Sequence, residues 1–129
     1  GRLPEVLLAI SSICASRGLR VANIFHAGDG NLHPLILYDA NDPKQSVAAE
    51  HAGNEILKLC VDVGGCLTGE HGVGIEKRDL MGLQFTPTDL ALQMRIKSVF
   101  DPTWLLNPAK VFPLDAPRPS DVQAEAEAA

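Results

Sequence analysis

The sequence lacks an excess of basic residues. Its 129 residues include 11 Lys and Arg against 16 Asp and Glu, which gives a formal net charge of -5. Proteins that bind nucleic acid need basic surface to neutralise phosphates, so we expect no nucleic-acid partner. Hydrophobic residues make up 46% of the chain, which is enough for the core of one globular domain.

Long apolar runs and closely spaced cysteine pairs are also missing. No run reaches the ~20 residues needed to cross a bilayer, and no basic leader precedes the amphipathic segment 7–15, so we expect neither a transmembrane segment nor a signal peptide. Cys14, Cys60 and Cys66 form no Cys-x-x-Cys pair and cannot all be bridged within one chain. We therefore predict idle thiols in a reducing, cytoplasmic compartment. Because the chain enters helical sequence directly after Gly1, we interpret it as a fragment.

Apolar spacing and turn residues predict an α+β fold. We expect helices over residues 4–17, 43–63, 75–83 and 87–100, and strands over 21–26 and 32–38. This order predicts a small antiparallel sheet with a β-hairpin, covered by helices. The proline-rich and then Ala/Glu-rich residues 114–129 are predicted to be a disordered tail. No strand–Gly-x-Gly-x-x-Gly–helix unit is found, so we expect the chain not to hold a cofactor pyrophosphate itself.

A glycine-rich turn joins the two predicted strands and has a histidine at each end. The stretch from His26 to His33 reads HAGDGNLH. If Asp29 and Gly30 form a two-residue turn, the two histidines pair directly, with Cβ atoms about 4.5–5.5 Å apart on one face. Two imidazoles at that separation can share one metal ion. If the turn is instead formed by Gly30 and Asn31, His26 faces Leu35 and this argument for a metal site fails. The structural alternative is a pair of histidines that are hydrogen-bonded at a sheet end.

A carboxylate and an imidazole flanked by glycines follow the long predicted helix. Residues 68–74 read TGEHGVG, and the missing side chains of the glycines let a ligand approach closely. Consecutive side chains diverge in extended backbone, so Glu70 and His71 are expected to have different roles. Glu70 can complete a two-histidine, one-carboxylate metal set, which leaves His71 as a base. The alternative is a flexible turn whose carboxylate favours a following helix N-terminus.

Other polar residues near these motifs are interpreted as structural. Asp29 and Asn31 are taken as turn-formers rather than ligands, and His51 as a surface or core-edge histidine of the long helix. Two other functions remain open on the residues alone. One is a non-catalytic oligomerisation or partner-docking module, and the other is a metal-dependent hydrolase that works without flavin.

Taken together, these motifs resemble the C-terminal domain of FAD-linked oxidases of the vanillyl-alcohol-oxidase type. The similarity covers roughly residues 3–113 and is greatest to glycolate oxidase flavoprotein subunits, with D-lactate and D-2-hydroxyglutarate dehydrogenases also similar. It is carried by HAGDGNLHPLIL from residue 26, by the glycines at 64–65, by TGEHGVG from residue 68, and by FDP through LNPAKVF at 100–112. The motifs are specific to the superfamily and much less so to one substrate.

The resemblance implies a fold, a set of site residues and a reaction. Residues 1–113 are expected to form a ferredoxin-like, cap-type half on the substrate side, with FAD bound mainly by a domain that this chain lacks. His26, His33 and Glu70 are implied to hold a divalent ion of Zn, Mn or Fe. His71 is implied to take the proton of the substrate hydroxyl, and Asn107 to lie near the flavin ring. The implied reaction oxidises a small 2-hydroxy acid of the glycolate or D-lactate type to the 2-oxo acid, and the hydride passes to FAD.

The resemblance also implies partners, and the chain departs from the family pattern at two positions. Further glycolate oxidase subunits, including an iron–sulfur subunit, are implied, with membrane association only through them. Leu35 stands where the dehydrogenases usually carry a polar residue, which weakens the case for a dicarboxylate substrate. Ala109 stands where the family commonly has glycine, which is expected to affect the turn but not the Asn107 side chain.

Overall fold

The computed structural model of the chain describes residues 1–116. The backbone divides into two compact units, residues 1–70 and the residues from 71 onward. The first unit contains α1 (Leu3–Ala15), β1 (Arg20–His26), β2 (Asn31–Leu37) and α2 (Pro43–Asp62). The second contains a short 3₁₀ turn (Arg78–Leu80), α3 (Met81–Gln84) and α4 (Pro87–Phe100). Within the described residues, four helices and a two-stranded antiparallel sheet confirm the predicted α+β class.

Glycines end the two long helices of the first unit where the sequence predicts. After α1, Gly18 takes a positive φ of 68°, and the Leu19 N–H turns back to donate to the Cys14 carbonyl at 3.0 Å. After α2, Gly64 has a φ of 88°, and the Gly65 N–H donates to the Cys60 carbonyl at 2.8 Å. This arrangement satisfies carbonyls that the helix end leaves without partners.

The core of the first unit lies between the two helices and one face of the hairpin. Alternation along the strands turns Val21, Leu32 and Ile36 towards the helices, where they pack against a buried cluster. That cluster comprises Val6, Ile10, Cys14, Leu19, Ala49, Ala52 and Ile56. The opposite face of the hairpin therefore points away from this core and carries the histidines.

The second unit is built around α4. Its N-cap Thr86 and the N3 residue Asp89 form a capping box, in which each side chain accepts a hydrogen bond from the other's backbone N–H. The Thr86 hydroxyl also donates to Asp89 Oδ2 at 2.7 Å, and this hydrogen bond, together with the one from the Thr86 N–H, lowers the pKa of the Asp89 carboxyl. Leu90 and Met94 of α4, together with Met81 of α3, are buried.

One predicted helix is wrong in extent. Residues 75–83 were expected to be helical throughout, but helical structure begins only at Arg78, with the 3₁₀ turn followed by α3. Ile75 is 58% exposed, so no apolar burial stabilises an earlier turn there. None of the helices among residues 1–116 is long and apolar enough to span a membrane.

Candidate functional site: a histidine and carboxylate cluster

The register of the hairpin differs from the predicted one. A four-residue loop, residues 27–30, joins the strands, so His26 pairs with Asn31 and His33 pairs with Ile24. The N–H groups of Asp29 and Gly30 both donate to the His26 carbonyl, at 3.1 and 3.0 Å. The predicted direct pairing of His26 with His33 is therefore wrong, because the tight two-residue turn does not form.

The two histidines nevertheless share one face of the sheet. His33 lies opposite Ile24, and His26 lies two residues beyond Ile24 on the same strand, so the histidines are diagonal neighbours. Their ring centroids are 5.5 Å apart and the rings stand nearly perpendicular, at 86°. The shared face that the metal hypothesis requires is retained although the register is different.

The end of α2 brings Glu70 to this face. After the turn at Gly64 and Gly65, the chain is anchored by Leu67, which is almost fully buried, and runs on to Glu70. The Glu70 Oε1 atom lies 2.9 Å from His33 Nε2 and 3.8 Å from His26 Nε2. One ligand atom from each of these three residues lies within 4.8 Å of the other two.

Exposure differs between the two histidines of the cluster. The side chain of His33 is 21% exposed, whereas that of His26 is 60% exposed and that of Glu70 is 50% exposed. His33 and Glu70 also form the closer pair, and His26 is the most exposed of the three side chains. The cluster is therefore accessible from solvent through His26 and Glu70.

A fourth residue of the cluster was interpreted from the sequence only as a turn-former. Asn31 begins β2, and its Nδ2 donates to Glu70 Oε1 at 2.7 Å. The sequence does indicate that Asn31 lies on the same face as His33, because residues two positions apart on one strand face the same way. The sequence gives no indication that Glu70 reaches this amide, since the two are 39 residues apart.

Two other histidines were singled out in the sequence. His71 directly follows Glu70 and is exposed, and it belongs to the second compact unit. Its role as a base stays a prediction. His51 is exposed on α2, as expected for a surface histidine, and it does not belong to the cluster.

Asn107 lies in a non-helical segment that follows α4. Asp101 is buried, and its carboxylate accepts hydrogen bonds from the N–H groups of Leu105 and Leu106 at 3.1 and 3.0 Å. It also accepts a 2.7 Å hydrogen bond from the Lys97 ammonium, which is the main cause of its lowered pKa. Asp101 therefore fixes the backbone just before Asn107.

A second anchor holds the backbone just after Asn107. The Arg78 guanidinium donates to the Ala109 carbonyl at 2.7 Å, and the Val111 N–H donates to the Gly74 carbonyl at 2.8 Å. Asn107 itself has a positive φ of 49° and is exposed. The two anchors hold the backbone on either side of Asn107, which lies on the surface of the second unit.

The three cysteines are free thiols, as the sequence predicts. Cys14 is buried in the core, and burial raises the pKa of its thiol. Burial is also the main cause of the raised pKa of Cys60, with a smaller contribution from the neighbouring Cys66. Because the thiolate is the nucleophilic form, these shifts argue against catalysis by Cys14 or Cys60.

Comparison with known proteins identifies relatives of the kind that the sequence motifs indicate. The chain is 51% identical over 111 residues to glycolate oxidase subunit GlcD of Escherichia coli, which covers 86% of this chain and 22% of that protein. It is 34% identical to glycolate oxidase subunit GlcD of Bacillus subtilis, over 88% of this chain and 24% of that protein. It is 35% identical to the mitochondrial D-lactate dehydrogenase [cytochrome] of Kluyveromyces lactis, over 95% of this chain and 20% of that protein.

The chain spans only about a fifth to a quarter of the length of these relatives. Residues 1–111 match the family described as FAD linked oxidases, C-terminal domain. The match includes the hairpin, Glu70 and His71, and Asn107. The chain therefore belongs to the C-terminal domain family of FAD-linked oxidases.

Proposed function

We propose that the intact protein containing this chain oxidises a small 2-hydroxy acid, of the glycolate or D-lactate type, to the 2-oxo acid. The observation that carries the proposal is the convergence of His26, His33 and Glu70 on one face of the hairpin. The names of the relatives, a glycolate oxidase subunit and a D-lactate dehydrogenase, support this substrate class. We further propose that FAD is bound mainly by a part of the protein outside this chain, and that glycolate oxidase subunits, including an iron–sulfur subunit, are its partners in the cell.

The chemistry of the three side chains fits a divalent ion. Imidazole nitrogens and a carboxylate oxygen are ligands that suit Zn, Mn and Fe. Two ligand atoms at about 2.0–2.2 Å from one ion, separated by roughly 90–110°, lie about 2.8–3.6 Å apart. The 2.9 Å between His33 and Glu70 lies within that range, and the 3.8 Å between His26 and Glu70 lies just outside it. The ligand atoms of all three residues already lie within 4.8 Å of one another, and His26, the most exposed of the three side chains, would have to move closer to Glu70 to complete the set.

We propose that these three side chains hold the ion and leave its remaining positions to the substrate. A bound divalent ion supplies charge that binds the substrate carboxylate and lowers the pKa of its hydroxyl. Bound FAD supplies the hydride acceptor. His71 accepts the hydroxyl proton at a ring nitrogen as the Cα–H bond breaks and the C=O bond forms. Asn107 is proposed to lie against the flavin ring.

A second candidate function is a docking module, and one feature of α4 favours it. Leu92, Ile96 and Val99 repeat at helical spacing and are 56%, 55% and 76% exposed, and Phe100 beside them is 81% exposed. Apolar surface of this kind is typical of a helix that packs against a partner. A chain that only docks would bind no ion through the three clustered side chains, so a test of metal binding separates the two functions.

The test is metal binding by the intact, metal-stripped protein. Titration with Mn²⁺ in a calorimeter is expected to show one ion bound per chain, and His26→Ala, His33→Ala and Glu70→Gln should each weaken binding by more than about 10-fold, since even residues that only support the ligands cost 10–100-fold. His51→Ala is the matched control and should bind as the unaltered protein does. Unchanged affinity in all three variants would exclude the metal site.

A further inference from the structure

Asn31 and Glu70 interact at the centre of the cluster. Asn31 is opposite His26 in the hairpin and two residues before His33, so its side chain lies on the face that carries both histidines. Its Nδ2 donates to Glu70 Oε1 at 2.7 Å, and the same oxygen lies 2.9 Å from His33 Nε2. A carboxylate oxygen only accepts hydrogen bonds, so the amide must present its NH₂ group to it. Glu70 Oε1 is therefore fixed from two sides.

The residue before Glu70 leaves space for this amide. A Cβ atom at Gly69 would lie 2.4 Å from Asn31 Oδ1 and 2.8 Å from Asn31 Cγ, far closer than two such atoms approach without displacement. Gly69 is not among the glycines with positive φ, so the backbone conformation does not require glycine there. It is the Asn31 amide, lying directly against the backbone of Gly69, that leaves no room for a Cβ unless the amide moves.

We propose that Asn31 is a positioning residue for Glu70, and that Gly69 is a glycine because it accommodates the Asn31 amide. The proposal rests on the proposed metal-binding function of the cluster. Glu70 is half exposed and would otherwise sample several rotamers, at an entropic cost when it binds an ion. The amide is neutral and occupies one of the roughly four lone-pair positions of the carboxylate. It thus orients the group and leaves positions for the ion, as residues that support metal ligands do.

Two single substitutions and their combination test this assignment in the intact, metal-stripped protein. Asn31→Ala removes the amide and is expected to weaken Mn²⁺ binding about 10–100-fold. Gly69→Ala keeps the amide but displaces it, so it should also weaken binding. In the double variant, the new Cβ at residue 69 meets no amide, so the loss of Mn²⁺ affinity should be no greater than for Asn31→Ala alone. Asn41→Ala, which removes an amide that donates to Asp39, is the control and should bind normally.

The double variant separates positioning from general damage. If Gly69→Ala acted through the backbone or through folding, its effect would add to that of Asn31→Ala, and the inference would be wrong. Melting temperatures of all variants are measured in parallel, because a positioning role predicts a loss of affinity larger than any loss of stability. Normal Mn²⁺ affinity of Asn31→Ala would also refute the assignment.

A crystal structure of metal-free Asn31→Ala gives a readout that does not depend on the metal. The Glu70 side chain is expected to leave its position beside His33 or to lose defined density. If Glu70 Oε1 stays in contact with His33 Nε2, Asn31 does not position it. Should the unaltered protein bind no Mn²⁺, the metal part of the proposed function fails, and this structure still decides whether Asn31 holds Glu70.

Discussion

His71 is the residue whose role depends most on the reaction itself. It follows Glu70 directly in the sequence and is an exposed residue. A base that accepts the hydroxyl proton acts in the transition state and contributes typically ~10²–10⁴-fold in rate. In the intact protein, His71→Ala should therefore slow flavin reduction by that factor while the Michaelis constant changes little. Single-turnover absorbance of the flavin measures the step without interference from product release.

His51→Ala is the control for this experiment. His51 is an exposed histidine of α2 outside the cluster, so its removal should leave flavin reduction unchanged. His26→Ala should differ from both, because losing the ion also weakens ground-state binding and raises the Michaelis constant. If His71→Ala reduced its flavin at the unaltered rate, His71 would not be the base.

The side chains of the site could be predicted from the sequence better than their contacts. His26, His33 and Glu70 were identified from residue type and motif, and the structure brings them together. Asn31 was taken for a turn residue, because a hydrogen bond across 39 positions depends on where α2 ends and how the chain returns to the hairpin. Such a contact is set by tertiary packing, which no local pattern encodes.

At the scale of elements, the hairpin shows why the predicted face was right although the register was wrong. Asp29-Gly30 suggested a two-residue turn, whereas the strands are joined by a four-residue loop with Gly30 at a positive φ of 70°. Both loops use a glycine with positive φ, so the local signal does not distinguish them. The observed pairing is shifted by two residues, and a shift of two keeps every side chain on its face, whereas a shift of one reverses it.

The ends of the helices could be predicted where a specific side chain or glycine sets them. Asp42 accepts a hydrogen bond from the Lys44 N–H at the start of α2, and Thr86 caps α4. The segment between Gly74 and Arg78 carries no such cap, and its helical extent was overestimated. The backbone conformation of the segment after α4 could not be predicted from local signals, because Trp104, Ala109 and Val111 have positive φ without the glycine that normally indicates it.

Ala109 in that segment gives a stability prediction. Its φ of 59° lies in the left-handed region, which costs an L-residue roughly 1–2 kcal/mol. Ala109→Gly should remove this cost. The greater freedom of glycine in the unfolded chain should in turn lower the stability of the folded protein by about 0.5–1 kcal/mol. The expected net stabilisation is about 0.5–1 kcal/mol, measured by urea unfolding. The carbonyl of residue 109 remains available to Arg78.

Ala91→Gly is the matched control, since it makes the same change at an exposed position inside α4. Residue 91 is helical, so glycine there should destabilise the folded protein by about 1 kcal/mol. Opposite signs for the two substitutions would support the left-handed conformation at residue 109. A loss of stability in Ala109→Gly equal to that in Ala91→Gly would contradict it.

At the scale of the whole molecule, the chain combines two compact units with separate candidate residues. The histidine and carboxylate cluster lies in residues 1–70, whereas His71 and Asn107 belong to the unit that follows. The family match extends over both, from residue 1 to 111. The domain boundary at residue 113 stays a prediction, and residues 117–129 of the predicted tail lie outside the described part of the chain.

The chain by itself is expected to bind FAD weakly or not at all. A dinucleotide is normally held by a strand, a glycine-rich turn and a helix N-terminus that together surround the pyrophosphate. Within residues 1–116, both strands belong to the hairpin, and β2 leads to α2 through a segment without glycine. Titration of the isolated chain with FAD, followed by flavin fluorescence, should show no tight saturable binding.

Circular dichroism must first show that the isolated chain is folded, and the intact protein serves as the positive control. A sub-micromolar dissociation constant for the folded chain would overturn the proposal that FAD is held mainly elsewhere in the protein.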